Sequence, residues 1–139
     1  MTIAYPIDST RRRRGIDVTF PDLPEALAQC AAGEEMDAAV ACLVAALAGY
    51  VRERRAIPRP SNALGRPLVP PPLLVAAKVA LYQEMHRRKL SNVALAKQLG
   101  TVEGSVRRLV DLHHRSHVDQ VEGALALLGK RLFVSVRRA

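Results

Sequence analysis

SNVALAKQLGTVEGSVRRLV, Ser91 to Val110, is the stretch on which the reading of this chain turns. Ser91 is suited to cap the N-terminus of a short helix, because its hydroxyl can accept a hydrogen bond from a first-turn N–H. That helix should end at Leu99–Gly100, where glycine takes the turn. A following helix is expected from about Val102 to Leu112. Ala96 is small enough to let the second helix cross closely, and Leu95, Leu99, Val106 and Leu109 recur at the spacing that seals such an angle. The pattern is that of a helix-turn-helix. Thr101 stands at a turn position that is usually apolar, and Gly104 costs the second helix about 1 kcal/mol against alanine.

With Val106 and Leu109 facing inward, Glu103, Gly104, Arg107, Arg108 and Asp111 face out. Arginine can grip a guanine edge with two hydrogen bonds or neutralise a phosphate. The free N–H groups at the start of the Ser91 helix can meet another phosphate. The candidate DNA-binding residues are Ser91, Asn92, Thr101, Glu103, Ser105, Arg107, Arg108 and Arg115. Arg107, nearer the start of its helix, is assigned to a base, and Arg108 and Arg115 to phosphate.

The charge distribution points the same way. The chain has 139 residues, with 21 Lys/Arg, 13 Asp/Glu and a net charge of +8. Residues 1–60 hold eight of each sign, so the whole excess, thirteen basic against five acidic residues, lies in 61–139. One half is fitted to a polyanion and the other to something else. Cys30 and Cys42 form neither a CxxC nor half of a metal site, and read as two reduced thiols. No run approaches the roughly 18 apolar residues of a membrane span. The N-terminus lacks a basic segment followed by a long apolar one. A cytoplasmic protein is expected, with no membrane partner and no cofactor.

Upstream, six prolines between Ile57 and Pro72 exclude helix. Residues 61–71 read as a proline-rich linker between domains 1–60 and 72–139, with a short strand possible at Arg66–Val69. In the first domain TIAYPID alternates as a strand, Ser9–Gly15 turns, and IDVTF points Ile16, Val18 and Phe20 one way. EALAQC is a candidate third strand. From about Glu34, Met36, Val40, Leu43, Val44, Leu47, Tyr50 and Val51 recur at three and four, a helix with one apolar stripe. In the second domain a helix should run from Pro72 to about Lys89. Another carries Val118, Val121, Leu125 and Leu128 on one stripe and closes at Gly129, and RLFVSV ends the chain as a strand. The fold class is α+β.

VTFPDLPEAL, the amphipathic helix ending in GY, IPRPS, VPPPLLVAAKVALY, the helix-turn-helix and DLHHRSHVDQVEGALALLGKRLFVSV together resemble the HicB antitoxins of bacterial type II toxin–antitoxin systems, over nearly the whole chain. The resemblance implies a partial RNase-H-like β-β-β-α N-terminal domain that binds and blocks a small toxin, HicA. That toxin resembles a double-stranded-RNA-binding domain and cleaves mRNA. It also implies a lambda-repressor-like helix-turn-helix domain that binds the operon's own promoter, as a homodimer or a dimer of dimers. The chain departs from the family at CAAG, before the first helix, and at STRRRRG, which replaces a milder hairpin turn.

Two further readings compete with parts of this one. Asp8, Asp17 and Asp22 could suggest a two-metal nuclease, but Asp17 faces away from Ile16 and Val18 and no neighbouring strand adds a carboxylate. They read as surface and turn residues, and no enzyme is expected. His113, His114 and His117 have spacing that can ligate zinc, yet read as loop residues near the DNA backbone or packed under the last helix. Arg11–Arg14 could touch RNA or DNA, and read as a solvated hairpin tip. The alternative function is a helix-turn-helix transcriptional regulator whose first domain senses a ligand or oligomerises.

Overall fold

The computed structural model describes residues 3–138. The strand alternation of IDVTF becomes β3, Gly15–Phe20, in which Ile16, Val18 and Phe20 are buried while Thr19 is exposed. β1 (Tyr5–Pro6) and β2 (Asp8–Arg12) precede it, and β4 (Leu23–Cys30) follows. β2, β3 and β4 form an antiparallel sheet in that order, with Ser9 opposite Val18 and Val18 opposite Ala28. The register shifts at Thr19/Phe20. β2 extends further into the expected turn than its sequence suggests, because only Arg13 and Arg14 separate the Arg12–Gly15 pair.

α1, Glu35–Arg52, covers one face of this sheet. Its acidic first turn (Glu35, Asp37) and basic last turn (Arg52) suit the helix dipole. The buried stripe is Ala39, Leu43, Leu47 and Tyr50, flanked by Ala48. Met36, expected inside, is exposed, and Val40, Val44 and Val51 are half-buried. Small Ala39 takes the first fully buried position of the helix, at the start of its second turn, so the stripe is rotated from the one that side-chain size suggests.

The proline stretch is held against this unit. β5, Leu68–Val69, pairs antiparallel with β1, Tyr5 opposite Val69. Pro6 fits there because a two-stranded ribbon leaves its missing N–H on an outer edge. The Tyr5 hydroxyl donates to the Pro58 carbonyl at 2.6 Å, and burial pushes this phenol up to about 12. The Asp22 carboxylate accepts from both the N–H and the hydroxyl of Ser61, and Asp8 pairs with Arg66 at 2.8 Å. Asp17 binds Arg12 at 2.9 Å. Asp8, Asp17 and Asp22 therefore each serve a separate fastening. Two compact units meet in sequence between Ala76 and Ala77, at the end of the first turn of α2 (Leu73–Arg87).

The second unit is helical: most of α2, then α3 (Asn92–Leu99), α4 (Glu103–Val110) and α5 (Val118–Leu127). Val79 and Leu81 of α2 are fully buried, as are Leu95, Val106 and Val121. Glu84, also buried, receives the guanidiniums of Arg87 and Arg88, and these pull its carboxyl down to about 2. Arg88 also donates to the Leu128 carbonyl, at the end of α5. The α5 stripe of Val121, Leu125 and Leu128 packs inside its own unit, and only Val118 is left exposed.

The expected terminal strand is not formed. Leu132–Val136 has no ladder partner and no regular structure, and Phe133 and Val136 are 88% and 96% exposed. A strand exists only by pairing, and no edge within the described residues meets this one. Cys30 and Cys42 are free and half-buried. No helix among the described residues is long and apolar enough to cross a membrane.

Gly15 closes the β2–β3 turn at φ 141°, and a Cβ there would lie 2.6 Å from the Cys30 carbonyl oxygen. Gly15→Ala should destabilise the protein by about 2 kcal/mol. In a thermal melt the first unit should lose several degrees, and a midpoint within about 2 °C of wild type would contradict the strain.

Candidate nucleic-acid interface

α3 starts as its sequence indicates. Ser91 is extended and its hydroxyl accepts the Ala94 N–H at 3.0 Å. The helix ends at Gly100 in the left-handed region, φ 70°, with Gly100 N–H to Lys97 O and Thr101 N–H to Ala96 O. This pair of bonds is the Schellman closure, which satisfies carbonyls that the helix end would otherwise leave open. Val102 then enters α4 in an extended conformation. Leu95, Ala96, Val106 and Leu109 are buried in the angle between α3 and α4, and Leu99 is half-buried.

On α4 this leaves Arg107 and Arg108 exposed. Arg107 pairs with Glu103 one turn back at 3.5 Å, and Asn92 of α3 donates to the same Glu103 carboxylate at 3.5 Å. Arg108 reaches the Ser105 hydroxyl at 3.4 Å. Asn92, Glu103 and Arg107 thus form one polar chain across the corner, and Ser105 and Arg108 a second pair. Thr101 is an exposed turn residue, and Arg115 is exposed in the loop after α4. The Arg107–Glu103 ion pair and the Arg108–Ser105 hydrogen bond are long and solvated, so they hold the guanidiniums loosely.

The corner is fixed from below by a residue that the sequence reading passed over. Lys78 of α2 is fully buried, and its ammonium donates to the carbonyls of Arg108, Asp111 and His114 at 2.9, 2.7 and 2.7 Å. All three ammonium protons are used. A cation at the C-terminus of α4 also meets the negative end of its dipole. Burial lowers the Lys78 pKa, while nearby Asp111 opposes the shift. A signal was available: within LLVAAKVALYQEM, Lys78 shares an inward face with Leu81, Tyr82 and Met85. A lysine at a core position implies a buried acceptor.

The side chains of His113, His114 and His117 are exposed rather than packed under α5. His114 Nδ1 lies 3.1 Å from the Ser116 hydroxyl. Among the described residues no three His, Cys, Asp or Glu side chains gather to hold a metal ion.

The first unit has a groove of about 630 Å³ between β4 and α1, lined by Leu27, Cys42, Ala45, Ala46 and Gly49, with Glu25, Glu53 and Arg55 at its polar end. Arg55 stacks on the Tyr50 ring at 4.4 Å, and a hydrogen bond with Tyr50 holds the Glu25 carboxyl below its ordinary range. Glu25 is distant in sequence from Tyr50 and Arg55 and meets them only once the helix lies on the sheet.

The first unit is thus a small antiparallel sheet under one helix, and the second is helical and basic. Residues 4–80 match a family model described as HicB-like antitoxin of bacterial toxin–antitoxin system. The chain is 40% identical over 132 residues to Antitoxin HicB 2 of Photorhabdus laumondii, covering 92% of each protein. It is 34% identical over 131 residues to Antitoxin HicB of Escherichia coli K12, covering 92% of this chain and 95% of the relative. With Antitoxin HicB of Pseudomonas fluorescens the figures are 38% over 112 residues, 76% and 74%. The protein is thus an antitoxin of a toxin–antitoxin system. It belongs to the HicB-like antitoxin family.

Lys78→Met keeps the stem and removes the ammonium, so the carbonyls of Arg108, Asp111 and His114 lose their charged donor and keep only the bonds from the Ser116 hydroxyl, the His114 N–H and the Ser116 N–H. We expect a loss on the order of 3 kcal/mol in urea unfolding, together with faster amide exchange at Leu109–Leu112. Wild-type exchange there would show that the ammonium does not hold the end of α4.

Proposed function

We propose that the first unit, a partial RNase-H-like domain, binds and neutralises a small HicA-type mRNA-cleaving toxin. In this reading the second unit is a lambda-repressor-like helix-turn-helix domain that represses the operon by binding its promoter. The observation that carries the DNA-binding half is the α3–α4 corner: a sealed inner angle, a glycine turn and two exposed arginines on α4. The basic excess of residues 61–139 supports it. Arg107, nearer the start of α4, reads a guanine, and Arg108 and Arg115 meet phosphate. Ser91 and Asn92 present the start of α3 to another phosphate, while Thr101, Glu103 and Ser105 border the groove. The chain works in the cytoplasm as a homodimer or a dimer of dimers. Its exposed apolar segment Leu132–Val136 supports self-association, whereas the α5 stripe, buried within its own unit, does not.

If Arg107 reads a base, Arg107→Ala should weaken promoter binding by about 1–3 kcal/mol and relax preference at one base pair. Arg108→Ala and Arg115→Ala should weaken binding to all sequences and lower the salt slope by about one unit each. Electrophoretic titrations at two salt concentrations separate the cases, and wild-type affinity in Arg107→Ala/Arg108→Ala would overturn the role of α4.

Toxin neutralisation should reside in the first unit. A fragment ending at Ala76 keeps β5 and the contacts of Pro58, Ser61 and Arg66. It should rescue growth of cells expressing the toxin, whereas a fragment ending at Ser61 loses the partner of β1 and should rescue poorly. Failure of a folded 1–76 fragment would place part of the toxin contact in the second unit. The groove beside Glu25 and Arg55 favours the alternative of a ligand-sensing regulator. Under that reading, promoter affinity would change on adding a small metabolite and not on adding toxin.

A further inference from the structure

We propose that the β2–β3 hairpin of the first unit is a second nucleic-acid contact, binding the phosphodiester backbone through Arg11, Arg13 and Arg14. This goes beyond the antitoxin reading and does not rest on it.

β2 is exposed at all five residues and lies at the edge of its sheet. Residues directly opposite in an antiparallel pair share a face. Arg11, opposite Ile16, therefore leaves on the helix-covered side, and Arg12, opposite Gly15, on the other. Arg13 and Arg14 make the turn. Guanidiniums thus leave the hairpin from both faces and from its tip. Among the described residues Arg12 alone of the four has a carboxylate partner, Asp17 at 2.9 Å.

The fold requires none of the other three. They are exposed, and a two-residue hairpin connection is more often made by residues such as Asn-Gly. Adjacent like charges repel, so the cluster exists at some cost to the free protein. Arginine presents a planar fork that matches phosphate oxygens in pairs. Three exposed guanidiniums within four consecutive residues gather enough positive charge at one hairpin tip to meet neighbouring phosphates of a nucleic-acid strand, which carries a phosphate per roughly 3.4 Å of axis.

The test uses the full chain carrying Arg107→Ala/Arg108→Ala, which removes the α4 arginines from every arm. Failure of the α4 reading therefore leaves this comparison intact. That protein, with and without Arg11→Gln/Arg13→Gln/Arg14→Gln, is titrated at two salt concentrations against a duplex DNA of arbitrary sequence and an unstructured RNA. Arg12 is kept because it is ion-paired. The glutamine variant should bind at least about tenfold more weakly. Its salt slope should fall by about two to three units, at roughly 0.9 per phosphate on duplex and 0.7 on single strand. Lysine at the same three positions should restore the slope, which guards against a folding defect in the glutamine variant. Loss on duplex alone identifies DNA as the source of the phosphates, and loss on RNA alone identifies RNA. Unchanged affinity and slope on both would overturn the proposal. So would intact nucleic-acid binding with loss of toxin capture, which would make the hairpin a protein contact.

Discussion

The second unit depends on one ammonium group. Lys78 sits where a leucine would ordinarily pack, and its three hydrogen bonds tie α2 to the last turn of α4 and the loop that follows. Desolvating a cation is expensive, so the group must be fully satisfied, and three carbonyls at a helix end satisfy it. Arg88 does the same for α5 through the Leu128 carbonyl, while Glu84 balances its charge. One cation of α2 and another just past its end thus meet carbonyls at the C-termini of two other helices. The pose of Arg107 and Arg108 follows from a residue that carries no outward face of its own.

The first unit has the opposite logic. Its core is apolar apart from the Tyr5 and Tyr50 hydroxyls, and most of its polar contacts lie on the rim, where each of three aspartates secures a different piece of chain. Asp8 takes Arg66, Asp22 takes Ser61 and Asp17 takes Arg12. Carboxylates drawn to separate partners do not converge on a common ion.

Local signals were legible in the sequence where one residue decides the outcome. Ser91 caps α3, Gly100 adopts the left-handed turn, and Ile16, Val18 and Phe20 line one face of β3, all as their types and spacing indicate. What was not legible depended on partners distant in the chain. The proline run looked like a free joint because proline forbids helix, yet nothing local says that Leu68–Val69 will find Tyr5–Pro6. Met36 seemed a better core residue than Ala39 by size, but a helix lying close on a three-stranded sheet takes the smaller side chain. RLFVSV has strand composition and no edge to join. Lys78 was hidden because a lysine is read by habit as surface. The groove at Glu25 arises only when strand, helix and the residues after the helix are assembled.

The pairing of β1 with β5 has a consequence for how such a chain can change. Tyr5 and Val69 lie side by side, so the first and last strands of the first unit adjoin. A body with adjacent ends behaves as a cassette. It can be spliced upstream of a different module, or moved within a longer polypeptide, without strain on its sheet. Tyr5, Asp8 and Asp22 meet Pro58, Arg66 and Ser61, all before Ala76. The hydrogen bonds and ion pairs that close the unit thus travel with it, and the sequence beyond that point adds nothing to those fastenings.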